Sequence, residues 1–146
     1  MIILDTNIIS ELMKTSPNQH VIAWLDQQDP MTLFTTSISI AEIIYGLDVL
    51  PAGKRRDYLE VAFNQVLIDA FKHRILMFDE HAAHVYGKLM GRRKITGRPL
   101  SVLDGQIAAI AKTNQMSLAT RNTRDFFDCE LNVIDPFDTH STSGIA

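Results

Sequence analysis

The chain has a single cysteine, Cys129. That excludes an internal disulfide and a cysteine-rich zinc site, and it fits a reducing compartment. It has no excess of basic charge: 14 Lys and Arg stand against 17 Asp and Glu, a formal net charge of −3. A module that clings to nucleic acid through a basic surface as a whole is therefore disfavoured, while a local basic groove is not. No run of about 18 uninterrupted apolar residues occurs, so no membrane span is predicted. Even the most apolar stretch, residues 38–50, carries Ser39, Glu42 and Asp48. The opening Met1-Ile2-Ile3-Leu4-Asp5 has no basic leader and is interrupted at once by Asp5, so it does not read as a secretory signal. Internal repeats, low-complexity blocks and interdomain linkers are also lacking. What remains is ordinary globular usage, 46% hydrophobic and 21% charged over 146 residues, enough for one layered core. The expectation is a soluble cytoplasmic protein: a single domain over residues 1–140, with a loose tail at 141–146.

Short apolar runs alternate with longer helical ones. Ile2-Ile3-Leu4 reads as a strand. Ser16-Pro17 reads as the cap and first residue of a helix that buries Val21, Trp24 and Leu25. Thr32–Thr36 has strand composition. Ser39 is expected to open a helix that Pro51-Ala52-Gly53 stops. Residues 55–70 carry a helical stripe of Leu59, Ala62, Phe63, Val66 and Ala70. Residues 74–78 form a third strand, and Asp79 caps a helix that buries Ala82, Val85, Tyr86 and Leu89. Ser101 starts a helix that buries Leu103, Ile107, Ile110 and Ala111. Strands follow at 117–120 and 131–134. This alternation predicts a three-layer α/β/α fold with a central parallel sheet of about five short strands. Ligands of such sheets bind at the carboxyl ends of the strands, beside a topological switch point.

Acidic residues sit where that rule points. Asp5 follows the first strand, Glu42 opens the helix after the second, Asp104 opens the helix before the fourth, and Asp125 follows the fourth with Asn122 nearer still. Capping accounts for each alone: Ser39-x-x-Glu42 and Ser101-x-x-Asp104 resemble capping boxes, Asn122-x-x-Asp125 is a looser version, and acids suit first turns. Yet Glu42 and Asp104 lie on or beside apolar helical faces. Burying an unpaired carboxylate costs several kcal/mol, whereas a cap returns about 1 kcal/mol. No basic residue lies within a helical turn of Asp5, Glu42 or Asp104 to pair them. A raised pKa or a bound hard cation would account for the burial, and Mg²⁺ is commonly held by one or two carboxylates plus water and substrate phosphate.

Taken together, Asp5-Thr6-Asn7, Ser39-x-x-Glu42 with Tyr45-Gly46, Leu103-Asp104-Gly105-Gln106-Ile107-Ala108, and Ala119-Thr120-Arg121-Asn122 with Asp125-Phe126 resemble the PIN-domain family. More narrowly, the chain is similar to VapC-type toxins of the FitB-like branch. The resemblance runs from Ile2 to about Pro136, in the family's order. It implies a PIN-like fold and a Mg²⁺- or Mn²⁺-dependent ribonuclease that leaves a 5′-phosphate and a 3′-hydroxyl. It also implies a small antitoxin that blocks the active site, and a homodimer. Asp5, Glu42 and Asp104 match the three regular acidic positions, with Asp5 and Asp104 as metal ligands. Either Asn122 or Asp125 fills the fourth. Thr6 and Thr120 match hydroxyl positions near the metal, with Asn7 in support. The expected reaction is hydrolysis by a metal-activated water, with Glu42 or Asp104 taking the proton.

RNA must reach an acidic centre on an acidic protein. Arg92-Arg93-Lys94 with Arg98, and Arg121 with Arg124, are candidate phosphate contacts, weighed against solvated helix ends. Lys54-Arg55-Arg56 read as the latter. Single-stranded RNA suits a groove better than duplex. His81-x-x-His84 has helical ligand spacing but no third ligand. A phospho-switch receiver would need a Lys after a late strand, where the chain has Asp135-Pro136. An Asp-x-Asp phosphatase would need an acid at Asn7. A structure-specific DNA nuclease remains the rival enzyme.

Overall fold

The computed structural model describes residues 1–139; the predicted tail at 141–146 lies outside them. Five strands, β1 (Ile2–Leu4), β2 (Leu33–Thr36), β3 (Ile75–Leu76), β4 (Ser117–Ala119) and β5 (Val133–Ile134), form one sheet in the order β3-β2-β1-β4-β5. Every pairing is parallel, with Ile2 opposite both Leu33 and Ser117, and Leu118 opposite Val133. Six helices surround it: α1 (Thr6–Leu12), α2 (Gln19–Asp26), α3 (Ser37–Asp48), α4 (Lys54–Val66), α5 (Glu80–Ile95) and α6 (Val102–Thr113).

The strands have no polar face because both faces are covered. Successive residues of one strand enter different cores, as the two-residue period requires. Leu4 and Ala119 pack with Ile8, Ile9, Val21, Trp24, Ile43, Leu47 and Phe63 from α1 to α4. Ile3 and Leu118 pack with Ala82, Leu89, Ile107 and Ala108 from α5 and α6. The predicted three-layer α/β/α architecture is the one observed.

Four local expectations are corrected. Asn18, not Ser16, caps α2: its Oδ1 accepts from His20 and Val21 amides, while its own N–H donates to Glu11 Oε1 at 2.8 Å. β2 runs straight into α3, so Thr36 caps that helix by accepting from Ser39 N at 3.1 Å. Glu42 therefore stands in the second turn, not the first. The helix predicted to reach residue 70 ends at Val66 and widens into a π turn over Leu67–Phe71, closed by Lys72 at φ 39°. Leu103 is exposed rather than buried, because the inner face of α6 begins at Gly105. A Cβ at that glycine would run into Met90 Sδ and touch Tyr86 on α5. The bare backbone leaves room for Met90 and Tyr86 of α5 against α6, one residue after Asp104.

The sheet order places the switch point between β1 and β4, whose chains leave in opposite directions around the sheet. Asp5 N donates to Ala119 O at 2.9 Å there, locking the two carboxyl ends together.

Candidate active site

Asp5 is the first residue past β1 and the N-cap of α1; Oδ1 accepts from Thr6 N at 2.8 Å. It is 3% exposed. Its other oxygen accepts from the fully buried Thr120 hydroxyl at 2.8 Å, and Asn7 Nδ2 stands 3.5 Å away. Thr120 in turn accepts from Asn7 Nδ2 and Asn122 N, both at 3.1 Å, and Asn7 Oδ1 accepts from Arg121 N at 3.1 Å. One hydrogen-bonded seam thus joins the ends of β1 and β4 around a single carboxylate. The predicted capping of α1 by Asp5 is present, and it leaves one oxygen for this seam.

Glu42 reaches the same place from α3. Thr6 Oγ1 donates to Glu42 Oε1 at 3.0 Å and lies 3.0 Å from Ser39 Oγ. Ser39, expected to cap a helix, is instead a buried link between that pair and Thr36. Asp104 arrives from the first turn of α6, where Ser101 Oγ accepts from its amide at 3.2 Å. That cap was predicted.

Asp5, Glu42 and Asp104 line one cavity of about 380 Å³ with Asn7, Arg121 and Asn122. Among the described residues none of the three carboxylates forms an ion pair. Burial pushes Asp5 up to about 6, against the pull of its bonds from Thr120 and Thr6; the charges of Asp104 and Glu42 push it further. Burial also raises Glu42, opposed by Thr6 and reinforced by Asp104. Asp104 is raised by burial, opposed by Ser101 and reinforced by Asp125. Three acids from separate elements therefore feel one another in a partly desolvated pocket, which is the behaviour of groups sharing a site.

Asp125 is close enough for its charge to reach Asp104 but does not line the cavity shared with Asp5 and Glu42. It is exposed, on a short 3₁₀ turn (Thr123–Phe126), and lines a second cavity of about 520 Å³. Asp104 lines both cavities. Arg98 and Arg124 line the second one. Arg93, a candidate RNA contact, is largely buried in the wall of that cavity: its guanidinium donates to the carbonyls of Phe127 and Asp125, so it braces a loop. Arg92 is drawn to Glu130 at 3.3 Å, and Lys94 is exposed. His84 lies 3.8 Å from Glu80, with both side chains exposed.

The sequence reading missed Glu11. It lines the acidic cavity with Asn7, Ser10 and Lys14, and their spacing of three, four and seven is one helical face. That spacing was the available signal. Glu11 is paired with Lys14 at 2.7 Å, and that bond holds its carboxyl below the usual range.

Among the described residues, no three His, Cys, Asp or Glu side chains are gathered tightly enough to ligate one ion by themselves. Two carboxylates with water completing the shell are the ordinary arrangement for a small hard cation, and the donor set here fits it: all oxygen, all acidic, without a neutralising partner.

A family model described as the PIN domain matches residues 2–129. The chain belongs to the PIN-domain family. Among PIN-domain relatives it is 40% identical to the VapC ribonuclease Y4jK of Sinorhizobium fredii, over 94% of this chain and 99% of that one. It is 37% identical to the toxin FitB of Neisseria gonorrhoeae over the same shares. The crystal structure of FitAcB from Neisseria gonorrhoeae superposes with a TM-score of 0.85 at 37% identity, covering 94% of this chain and 99% of that one. The family resemblance carried by the four motifs is thus met in both sequence and fold. Among the described residues, no helix is long and apolar enough to cross a membrane.

Proposed function

We propose that this PIN-domain chain is the toxin of a toxin–antitoxin pair, an endoribonuclease that uses Mg²⁺ or Mn²⁺. The observation that carries the reading is the meeting of Asp5, Glu42 and Asp104 in one cavity at the sheet's switch point, all pushed upward in pKa and none paired with a cation. Relatives at 40% and 37% identity are named a VapC ribonuclease and a toxin, which supports RNA as the substrate and a cognate antitoxin as the partner. A homodimer in the cytoplasm completes the reading.

Asp5 and Asp104 would hold the ion, with Glu42 joining through water. When bound, it supplies Lewis acidity to the scissile phosphate and acidifies the attacking water. The protein's own groups do the remaining work. Thr120 and Asn7 aim Asp5, and Thr6 aims Glu42. Glu42 or Asp104, each made more basic by burial, accepts the proton of the attacking water. Arg121, stacked on Phe137 at 4.7 Å, lines the same cavity and would meet the phosphate backbone. The products are a 5′-phosphate and a 3′-hydroxyl.

The test is cleavage of end-labelled total RNA by the purified protein with Mg²⁺ or Mn²⁺. Asp5→Asn and Asp104→Asn should each lower the rate at least about a hundredfold, more than is usual for losing a residue that only supports a metal ligand. Both variants should stay folded by circular dichroism. Equal rates for the variants and wild type would remove the assignment, and cleavage confined to duplex DNA would select the rival nuclease.

A further inference from the structure

Resting on that ribonuclease reading, we propose that Phe127 is a substrate-binding platform. Its ring stacks beneath one unpaired base of single-stranded RNA whose scissile phosphate lies at Asp104, and Arg98 and Arg124 hold phosphates of the same strand.

Three observations lead there. First, the cavity containing Phe127 adjoins the chemistry, because Asp104 lines both it and the acidic cavity. A strand cut at Asp104 must extend to either side. Second, Phe127 is a large apolar side chain left 65% exposed beside cations. Arg98 stands over its ring at 5.8 Å. The other Arg-on-Phe pair, Arg121 with Phe137, uses a ring packed against the core; the ring of Phe127 keeps open surface. Third, the platform is held in place. Arg93 is buried, donates to the Phe127 and Asp125 carbonyls, and has an Nε with no partner among the described residues. A buried guanidinium spent on two loop carbonyls fixes where the ring stands.

The cavity is lined by Arg93, Arg98 and Arg124 against Asp104 and Asp125, so its cations outnumber its carboxylates by one, and a strand carrying phosphates suits the arginine edge. Among the described residues Arg124 forms no ion pair, and the one ion pair of Arg98 is with exposed Asp128 at 2.8 Å. Aromatic stacking tolerates any base but requires it to be unpaired, which selects single strands and loops.

The experiment uses a short mixed-sequence RNA with a fluorescent adenine analogue at successive positions. Binding is measured in the Asp5→Asn background without metal, and cleavage in the otherwise wild-type protein with Mg²⁺. The analogue should be quenched at one position near the cut. Phe127→Ala should abolish that quenching and weaken binding at least about tenfold, with the loss falling on KM rather than kcat. Phe127→Trp should restore both. Wild-type cleavage with unchanged binding and quenching in Phe127→Ala overturns this inference and leaves the ribonuclease reading standing. Loss of self-association in Phe127→Ala with RNA binding intact assigns the ring to a protein contact and also overturns it. A wild-type protein that neither binds nor cuts RNA removes both.

Discussion

On one side of Asp104, carboxylates are held by hydroxyls and amides: Thr120 and Thr6 for Asp5, Thr6 for Glu42. On the other, guanidiniums are held by carbonyls and one carboxylate: Phe127 and Asp125 for Arg93, Asp128 for Arg98. Neither side neutralises itself fully. The acidic side carries raised pKa values, because burial and mutual repulsion penalise its charge; the basic side leaves Arg124 free of an ion pair among the described residues. A net charge of −3 conceals this, because it averages two pockets of opposite sign that abut at one residue. Charge tallies thus argue about solubility and steering, while the arrangement of charge argues about chemistry.

Three measurements press on this contrast. The largest effect is expected in the metal-free protein. Asp5 is raised from 3.8 to about 6 in the folded state, so protonation favours folding. That stability is fully present below the unfolded value of 3.8 and is lost as pH rises through about 6. Asp5→Asn keeps the cap and never carries the charge, so above pH 6 it should be the more stable protein, by up to about 3 kcal/mol. The two should converge near pH 4. Urea unfolding with a chelator present reads the difference, and a pH-independent gap would show that Asp5 is not held near neutrality.

Next comes the orienting hydroxyl. Thr120→Val keeps the shape but removes the donor to Asp5 and the acceptor for Asn7 and Asn122 N. Metal affinity by calorimetric titration should fall about tenfold to a hundredfold, and Thr120→Ser should recover it. The smallest effect belongs to the basic side. Arg124→Ala should weaken RNA binding a few-fold at low salt and reduce the slope of log affinity against log salt by about 1. An unchanged slope would take Arg124 off the phosphate path.

How much was legible follows from the range of each signal. The parallel sheet could be read because its strands are short, apolar and separated by helical stripes. Asp5 and Ser101 could be read as caps because capping acts within three residues. Ser39 was misread for the same reason: Thr36 offers an equivalent hydroxyl three residues earlier, and only the direct run of β2 into α3 decides between them. The link from Thr6 to Glu42 spans 36 positions, and the bond from Thr120 to Asp5 spans 115; no local pattern encodes such distances. The family resemblance put those residues near one metal, which periodicity cannot, but it did not say which hydroxyl holds which carboxylate. Arg93 shows the reverse error. A run of three cations looks like a surface patch until helical rotation turns one of them inward.

The bracing of the 3₁₀ turn by Arg93 has a consequence for how such a protein can change. Asp5 and Thr120 are rooted in neighbouring strands at the centre of the sheet, where a shift would disturb both cores. Phe127 and Arg98 sit on connecting segments outside the sheet, held by the Arg93 guanidinium on the Phe127 and Asp125 carbonyls, by Arg98 N on Arg93 O, and by Arg98 on Asp128. Replacements along those segments can alter which RNA is gripped while the hydrolytic machinery stays put.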